Sequence, residues 1–291
     1  MQRPFSPKLW TCRGRTVTFA LPLIMGILNV TPDSFHAGSR IGNLHDALVR
    51  GRQFLQDGAA ILDIGGESTR PGAVTCPAAE ECDRVLPVVT ALRQALPEVL
   101  LSVDTRHTRT AQAALNAGAD IINNVSGCAP EDGMLEQVAA SGAGYILTHA
   151  SGNTDETPLL DNPETCTDAV IEALLQAAEA AERIGVKHSQ ILLDPGIGFG
   201  KTAEVSIRLL QETARFAALP YPLLIGVSRK RFLSASPGQD TPEHRAAASL
   251  GAALAAIHAG ADAVRVHDVR ETFEALRLFS LLTPCEETPH V

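Results

Sequence analysis

The chain has 291 residues, of which 45% are hydrophobic, 20% charged and only 4% aromatic, and its net charge is −9. That composition supports a core built mainly from Ala, Leu, Val and Ile and excludes global disorder. The acidic balance excludes a general nucleic-acid or anionic-membrane binder, although local basic groups can still hold a small anion. From the N-terminus, MQRPFSPKLW lacks the apolar centre of a secretion signal, and LPLIMGILNV (21–30) is too short to span a bilayer. A run of short apolar segments follows: IMGILNV (24–30), AILDIGG (60–66), LLSVDT (100–105), IINNVSG (121–127), YILTHAS (145–151), ILLDPG (191–196), LLIGVS (223–228) and AVRVHDV (263–269). Each has the Ile/Leu/Val content of a strand buried on both faces.

Helical patterns lie between these segments. Leu44, Ala47, Leu48, Gly51 and Leu55 fall on one helical face, and 167–184 and 242–258 are longer helices rich in Ala and Leu. Thr167 or Asp168 is the expected cap of the first, and Pro242 suits the first turn of the second. DGAAILDI, AGADIINN, SGAGYILT and AGADAVRV each place a Gly just before a strand, where it can end the preceding helix in the left-handed conformation. Eight strands alternating with helices predict an α/β fold, a single (β/α)8 TIM barrel over about 22–283 in one domain spanning 1–291. Residues 1–8, 151–166 and the tail after Thr283 are expected to be loose. The six cysteines (12, 76, 82, 128, 166, 285) contain no C-x-x-C pair, which predicts reduced thiols and a cytoplasmic protein.

In such barrels the active site gathers at the C-terminal ends of the strands. Those ends read Asn29, then Glu67-Ser68-Thr69-Arg70, Asp104, Asn123-Asn124, His149, Asp194, Ser228-Arg229-Lys230, and Arg265 with His267-Asp268. One such residue is ordinarily a cap or a structural group; a full ring of them is not needed by a structural barrel. Asp104, Asn123 and Asp194 supply acceptors and amides for a flat heterocycle with amino and ring N–H donors. Arg70, Lys230, Arg265 and His267 supply donors for phosphate oxygens. Asn29 offers a neutral oxygen, suited to a largely hydrated Mg²⁺ on a diphosphate, and no Cys or His cluster points to a transition metal. LDPGIGFGK (193–201) is not a nucleotide loop; its glycines permit a sharp turn that lets Asp194 and Phe199 face the pocket.

MGILNVTPDSF (25–35), DIGGESTRPG (63–72), SVDT (102–105), LLDPGIGFGK (192–201), GVSRK (226–230) and RVHDV (265–269) resemble, in order, the signature blocks of the dihydropteroate synthase family. The resemblance implies a TIM barrel that condenses 4-aminobenzoate with 6-hydroxymethyl-7,8-dihydropterin diphosphate, giving 7,8-dihydropteroate and diphosphate for folate biosynthesis. It assigns Asn29 to Mg²⁺, and Asp104, Asn123, Asp194 and Lys230 to the pterin. Thr69 and Arg70 fall in the second loop, and Arg265 and His267 in the diphosphate site. Phe199 is placed beside 4-aminobenzoate, and Ser228 in the segment near its carboxylate. Asp104, Lys230, Arg265, His267 and Arg70 become the catalytic set. A homodimer and sensitivity to sulfonamides are further implications, with small molecules as the partners. The chain departs from the family at Ala37, where an acid is usual, at Asn124, and at Thr148-His149-Ala150, which lacks the usual methionines. The alternatives are a non-catalytic pterin-binding paralogue, and a pterin-dependent methyltransferase domain, which has no use for the ESTRPG and SRK segments.

Overall fold

The computed structural model describes residues 8–30, 40–67, 76–126, 128–151, 160–234 and 241–282. Eight parallel strands form one sheet: β3 (Leu23–Asn29), β4 (Ile61–Gly65), β5 (Leu100–Asp104), β6 (Ile121–Asn124), β7 (Gly144–Thr148), β8 (Ile191–Asp194), β9 (Leu224–Ile225) and β10 (Ala263–Val266). Their order is β8-β7-β6-β5-β4-β3-β10-β9, and a parallel bridge between Leu193 and Leu223 brings the two ends together. The helices are α1 (Arg40–Gln56), α2 (Ala78–Ala95), α3 (Thr108–Ala117), α4 (Met134–Ser141), α5 (Cys166–Ile184), α6 (Ala203–Gln211), α7 (Thr213–Ala217), α8 (Ala246–His258) and α9 (Val269–Leu282). This is the (β/α)8 barrel expected from the alternating pattern.

The glycine junctions behave as their spacing predicts. Gly58, Gly118, Gly142 and Gly260 have φ of 100°, 111°, 67° and 103°, the left-handed conformation that stops a helix and turns the chain into the next strand. The face of α1 named above packs inward: Ala47 is buried and Leu44, Leu48 and Leu55 cover the same core. Gly51 on that face matters because a Cβ there would press on Leu92 of α2.

Four features differ from the sequence reading. The sequence reading places no element before β3, yet β1 (Leu9–Cys12) and β2 (Arg15–Thr18) form an antiparallel hairpin. Its turn, Arg13-Gly14, has φ of 51° and 81°, the positive pair that suits a two-residue hairpin. Trp10 and Cys12 are fully buried and join Met25, Ile61, Ile121, Ile146, Leu192 and Leu224 inside the barrel, so the hairpin plugs its N-terminal end. Trp10 Nε1 donates to Gln190 O at 2.8 Å, and Arg13 N–H donates to Gly142 O at 2.7 Å.

Second, part of 151–166 is firmly held. Leu160 bridges to Lys201, its N–H donating to Gly200 O at 3.1 Å while its carbonyl accepts from Thr202 N at 3.2 Å. Third, Thr167 does not cap α5. The helix starts one residue earlier, so Thr167 is buried in the first turn, and Asp168 instead pairs with Arg215 at 2.5 Å. Fourth, the helix expected over 242–258 is divided into a 3-10 turn at Glu243–Arg245 and α8, and the Arg245 side chain at the junction donates to Arg229 O at 2.8 Å. The five cysteines among the described residues are unpaired. Among the same residues no helix is long and apolar enough to cross a membrane.

Candidate active site

Strand register assembles the site. Asn29 is aligned with Gly65, Gly65 with Asp104, and Asp104 with Asn123, so these residues form one row across β3, β4, β5 and β6 at the C-terminal end. Asp194 ends β8 opposite Thr148. Arg265 on β10 closes the group. Its Nε donates to Asp63 Oδ2 at 2.5 Å and its Nη2 to Asp104 Oδ2 at 2.6 Å. Asn123 Nδ2 donates to the same Asp63 oxygen at 3.1 Å. Asp63 is fully buried and was missed at the level of sequence because it lies inside a strand, not at its end. The two-residue period of β4 is the signal that finds it, since it puts Asp63 on the same face as Gly65.

The electrostatics are tight. Burial pushes the Asp104 carboxyl up while the Arg265 guanidinium pulls against it. Burial also raises Asp194, opposed chiefly by Lys230 and by the Gly196 N–H, which donates to Asp194 Oδ1 at 2.8 Å. Arg265 is held firmly protonated by Asp63 and Asp104 despite its burial. Burial lowers Lys230 to about 8. Its ammonium donates to Ile197 O and lies 4.1 Å from the centroid of the Phe199 ring, a cation–π contact. His267 is driven to about 3 by burial, then by Arg265 and Arg229, so its ring is neutral. Ser228 Oγ accepts from the His267 backbone N–H at 3.1 Å and lies 3.0 Å from Nδ1.

The loop after β8 has the sharp turn its glycines imply. Gly196, Gly198 and Gly200 all have positive φ, and a Cβ at Gly196 or Gly200 would collide with the carbonyl of His149 or Ser151. Lys201, which was not singled out as a site residue, pins this loop. Its Nζ donates to His149 O at 3.1 Å, Gly196 O at 2.8 Å and Phe199 O at 3.0 Å, while burial lowers its pKa to about 7. His149 is mostly buried, and its pKa is pulled down to about 3 by burial and then by Lys201, so its ring is neutral too.

Asn124 faces the helix layer. It donates to the Tyr145 hydroxyl at 2.9 Å and accepts from the Ser126 N–H at 2.8 Å, a pattern that an amide satisfies without placing a charge in the core. At the end of β4, Glu67 receives Arg106 and the Cys76 N–H, the latter at 2.9 Å. Thr69, Arg70 and Ala37 lie outside the described residues.

The donor set speaks to a metal. Among the described residues there is no group of three or more His, Cys, Asp or Glu able to cage an ion. The Asn29 amide oxygen and the Asp104 carboxylate converge over Gly65, at 3.4 Å and 3.9 Å from where its Cβ would stand. One neutral oxygen beside a carboxylate fits a hydrated Mg²⁺ that keeps most of its waters, and does not fit a zinc site.

A parallel barrel that presents carboxylates, an amide, a lysine and an arginine at its strand ends defines an enzyme for a flat polar ring bearing an anionic group. The pterin-binding enzyme family matches residues 25–267, and the chain belongs to that family. It is 42% identical over 246 residues to the dihydropteroate synthase of Synechocystis sp., spanning 84% of this chain and 85% of that protein. It is 37% identical over 275 residues to the Escherichia coli dihydropteroate synthase, spanning 94% and 96%. Among solved structures, Xanthomonas albilineans dihydropteroate synthase with 4-aminobenzoic acid superposes with a TM-score of 0.88 at 37% identity, covering 96% of this chain and all of that one. The same enzyme in complex with 7,8-dihydropteroate gives 0.84 at 35% identity, covering 95% and 99%.

Proposed function

We propose that this chain is a transferase of folate biosynthesis, a dihydropteroate synthase joining 4-aminobenzoate to 6-hydroxymethyl-7,8-dihydropterin diphosphate with release of diphosphate. The observation that carries the reading is the row Asn29, Gly65, Asp104, Asn123, closed by Arg265 and faced by Asp194 and Lys230. Asp104, Asn123 and Asp194 accept and donate around the pterin ring, and Lys230 adds a donor. Phe199 offers a face to the 4-aminobenzoate ring, and the Ser228 segment lies near its carboxylate. Arg265, neutral His267 and Arg70 receive the diphosphate, and Thr69 belongs to the substrate-binding set. Asn29 would hold Mg²⁺, which when bound supplies positive charge to the leaving diphosphate oxygens.

The reaction replaces a C–O bond at the pterin methylene by a C–N bond. Diphosphate leaves with the electron pair, and the arylamine nitrogen attacks and then loses one proton. Asp104 and Asp194 stabilise positive charge that develops on the dihydropterin ring as diphosphate departs. A weakly basic arylamine, once bonded to carbon, loses its proton readily and needs no strong general base. The whole chain acts as one pterin-binding domain, in a cytoplasmic homodimer. Turnover with both substrates and Mg²⁺, measured with and without a chelator, tests the reading: product should form and fall on chelation. Absence of product from folded protein would leave the non-catalytic paralogue.

A further inference from the structure

The turn at the end of β9 carries a residue poorly suited to its conformation. Lys230 N–H donates to Val227 O at 3.3 Å, closing a four-residue turn with Arg229 in its third position at φ 59°. Only Arg13 and Arg229 combine a side chain with positive φ among the described residues. Arg13 sits in a hairpin turn that asks for it. The third position of a turn like this one ordinarily takes Gly or Asn, so an arginine persists there only if its surroundings hold it.

The surroundings hold it from both sides. The Arg229 N–H donates to Ser249 Oγ at 2.7 Å, and its carbonyl accepts from Arg245 Nη1 at 2.8 Å. Ser249 Oγ in turn donates to Arg245 O at 2.7 Å. The guanidinium grips Asp268 with Nε at 3.1 Å and Nη2 at 2.6 Å, a two-point pair joining the end of β9 to the end of β10. The flanking residues then diverge. Ser228 reaches His267, while Lys230 reaches Ile197 O and the Phe199 ring.

We infer that the Arg229–Asp268 pair is a positioning device: it locks the strained turn that sends Ser228 to His267 and Lys230 to the Phe199 ring from adjacent places in the chain. The inference rests on the proposed dihydropteroate synthesis for its kinetic readout alone. Arg229 and Asp268 need touch no substrate. Their effect passes through the two neighbours.

The order of substitutions at Arg229 is diagnostic. In ordinary backbone Ala is tolerated better than Gly, but at positive φ the order reverses. Arg229→Ala loses both the pair and an easy left-handed conformation, whereas Arg229→Gly loses the pair but keeps that conformation within easy reach. Kinetics are measured well below each variant's melting midpoint. Arg229→Ala should lower kcat/KM for 4-aminobenzoate by about tenfold or more, with Arg229→Gly between it and wild type. Asp268→Asn, which keeps a neutral acceptor, should lose less than Asp268→Ala, and the Arg229→Ala/Asp268→Ala double variant should be no worse than the worse single one.

The ¹⁵N signals of the His267 ring in the unliganded protein give a readout independent of turnover. They should shift in Arg229→Ala and return toward wild type in Arg229→Gly. If the wild type makes no product, the functional reading fails while the ring signals still decide the positioning role. Unchanged ring signals in Arg229→Ala, a Gly variant no better than Ala, or losses that follow the melting midpoint alone would overturn the inference.

Discussion

Replacing Asp63 by Ala removes the carboxylate on which two site residues converge. Its Oδ2 accepts from Arg265 at 2.5 Å and from Asn123 at 3.1 Å, in a position with no solvent exposure. Arg265 would keep Asp104 but lose one of its two ion pairs, and the Asn123 amide would face a void. Removing one member of a buried ion pair costs about 3–5 kcal/mol, because the partner is left charged and unpaired. Taking about 4 kcal/mol, and about 2–4 °C per kcal/mol for a large domain, the melting midpoint should fall by roughly 8–16 °C. Asp63→Asn preserves the volume and one acceptor and should lose about half as much. Thermal unfolding followed by near-UV circular dichroism gives both numbers, and calorimetry at a temperature where each variant is folded gives pterin affinity. A midpoint within about 2 °C of wild type, with pterin affinity intact, would refute the view that Asp63 organises Arg265 and Asn123.

Three further outcomes are expected. Asp194→Ala should abolish measurable pterin binding in a folded protein, since each charge-assisted bond is worth about 1.5–3 kcal/mol; calorimetry decides it. Lys201→Met should leave three carbonyls of the β8 loop without their donor and weaken 4-aminobenzoate more than it weakens strand packing, read as a rise in KM at a modest loss of melting temperature. With Lys230 at about 8 in the folded protein and its ordinary value of 10.5 unfolded, the unfolded chain binds more protons between those limits, so this group adds stability as pH rises from 8 to 10.5. Activity runs the other way. It should decline above about pH 8 as Lys230 loses its charge, and parallel pH profiles of kcat/KM and melting temperature should therefore diverge.

The barrel was legible because it repeats. Apolar runs such as AILDIGG and AVRVHDV contain β4 and β10, and the Gly58, Gly118, Gly142 and Gly260 junctions signal four of the returns to the sheet through a backbone need that only Gly meets cheaply. The strand ends announced Asn29, Asp104, Asn123 and Asp194, because a barrel exposes those ends and buries the rest. Asp63 and Lys201 escaped for the converse reason. One lies mid-strand and the other beyond a glycine loop, and only three-dimensional register and loop closure reveal what they hold. The β1–β2 hairpin carried a weak signal, a four-residue alternation around Arg13-Gly14, and the value of Trp10 and Cys12 is visible only once the open end of the barrel they fill is known. The Arg229–Asp268 pair joins residues 39 apart and is invisible to any local pattern.

The structure of the chain with 7,8-dihydropteroate bound decides whether the strand ends of this barrel form the pterin pocket. The pterin ring is expected within hydrogen-bonding distance of Asp104, Asn123 and Asp194, with the aryl ring against Phe199 and Lys230. A product bound away from those strand ends, or bound there with Asp194 making no contact to the ring, would contradict it.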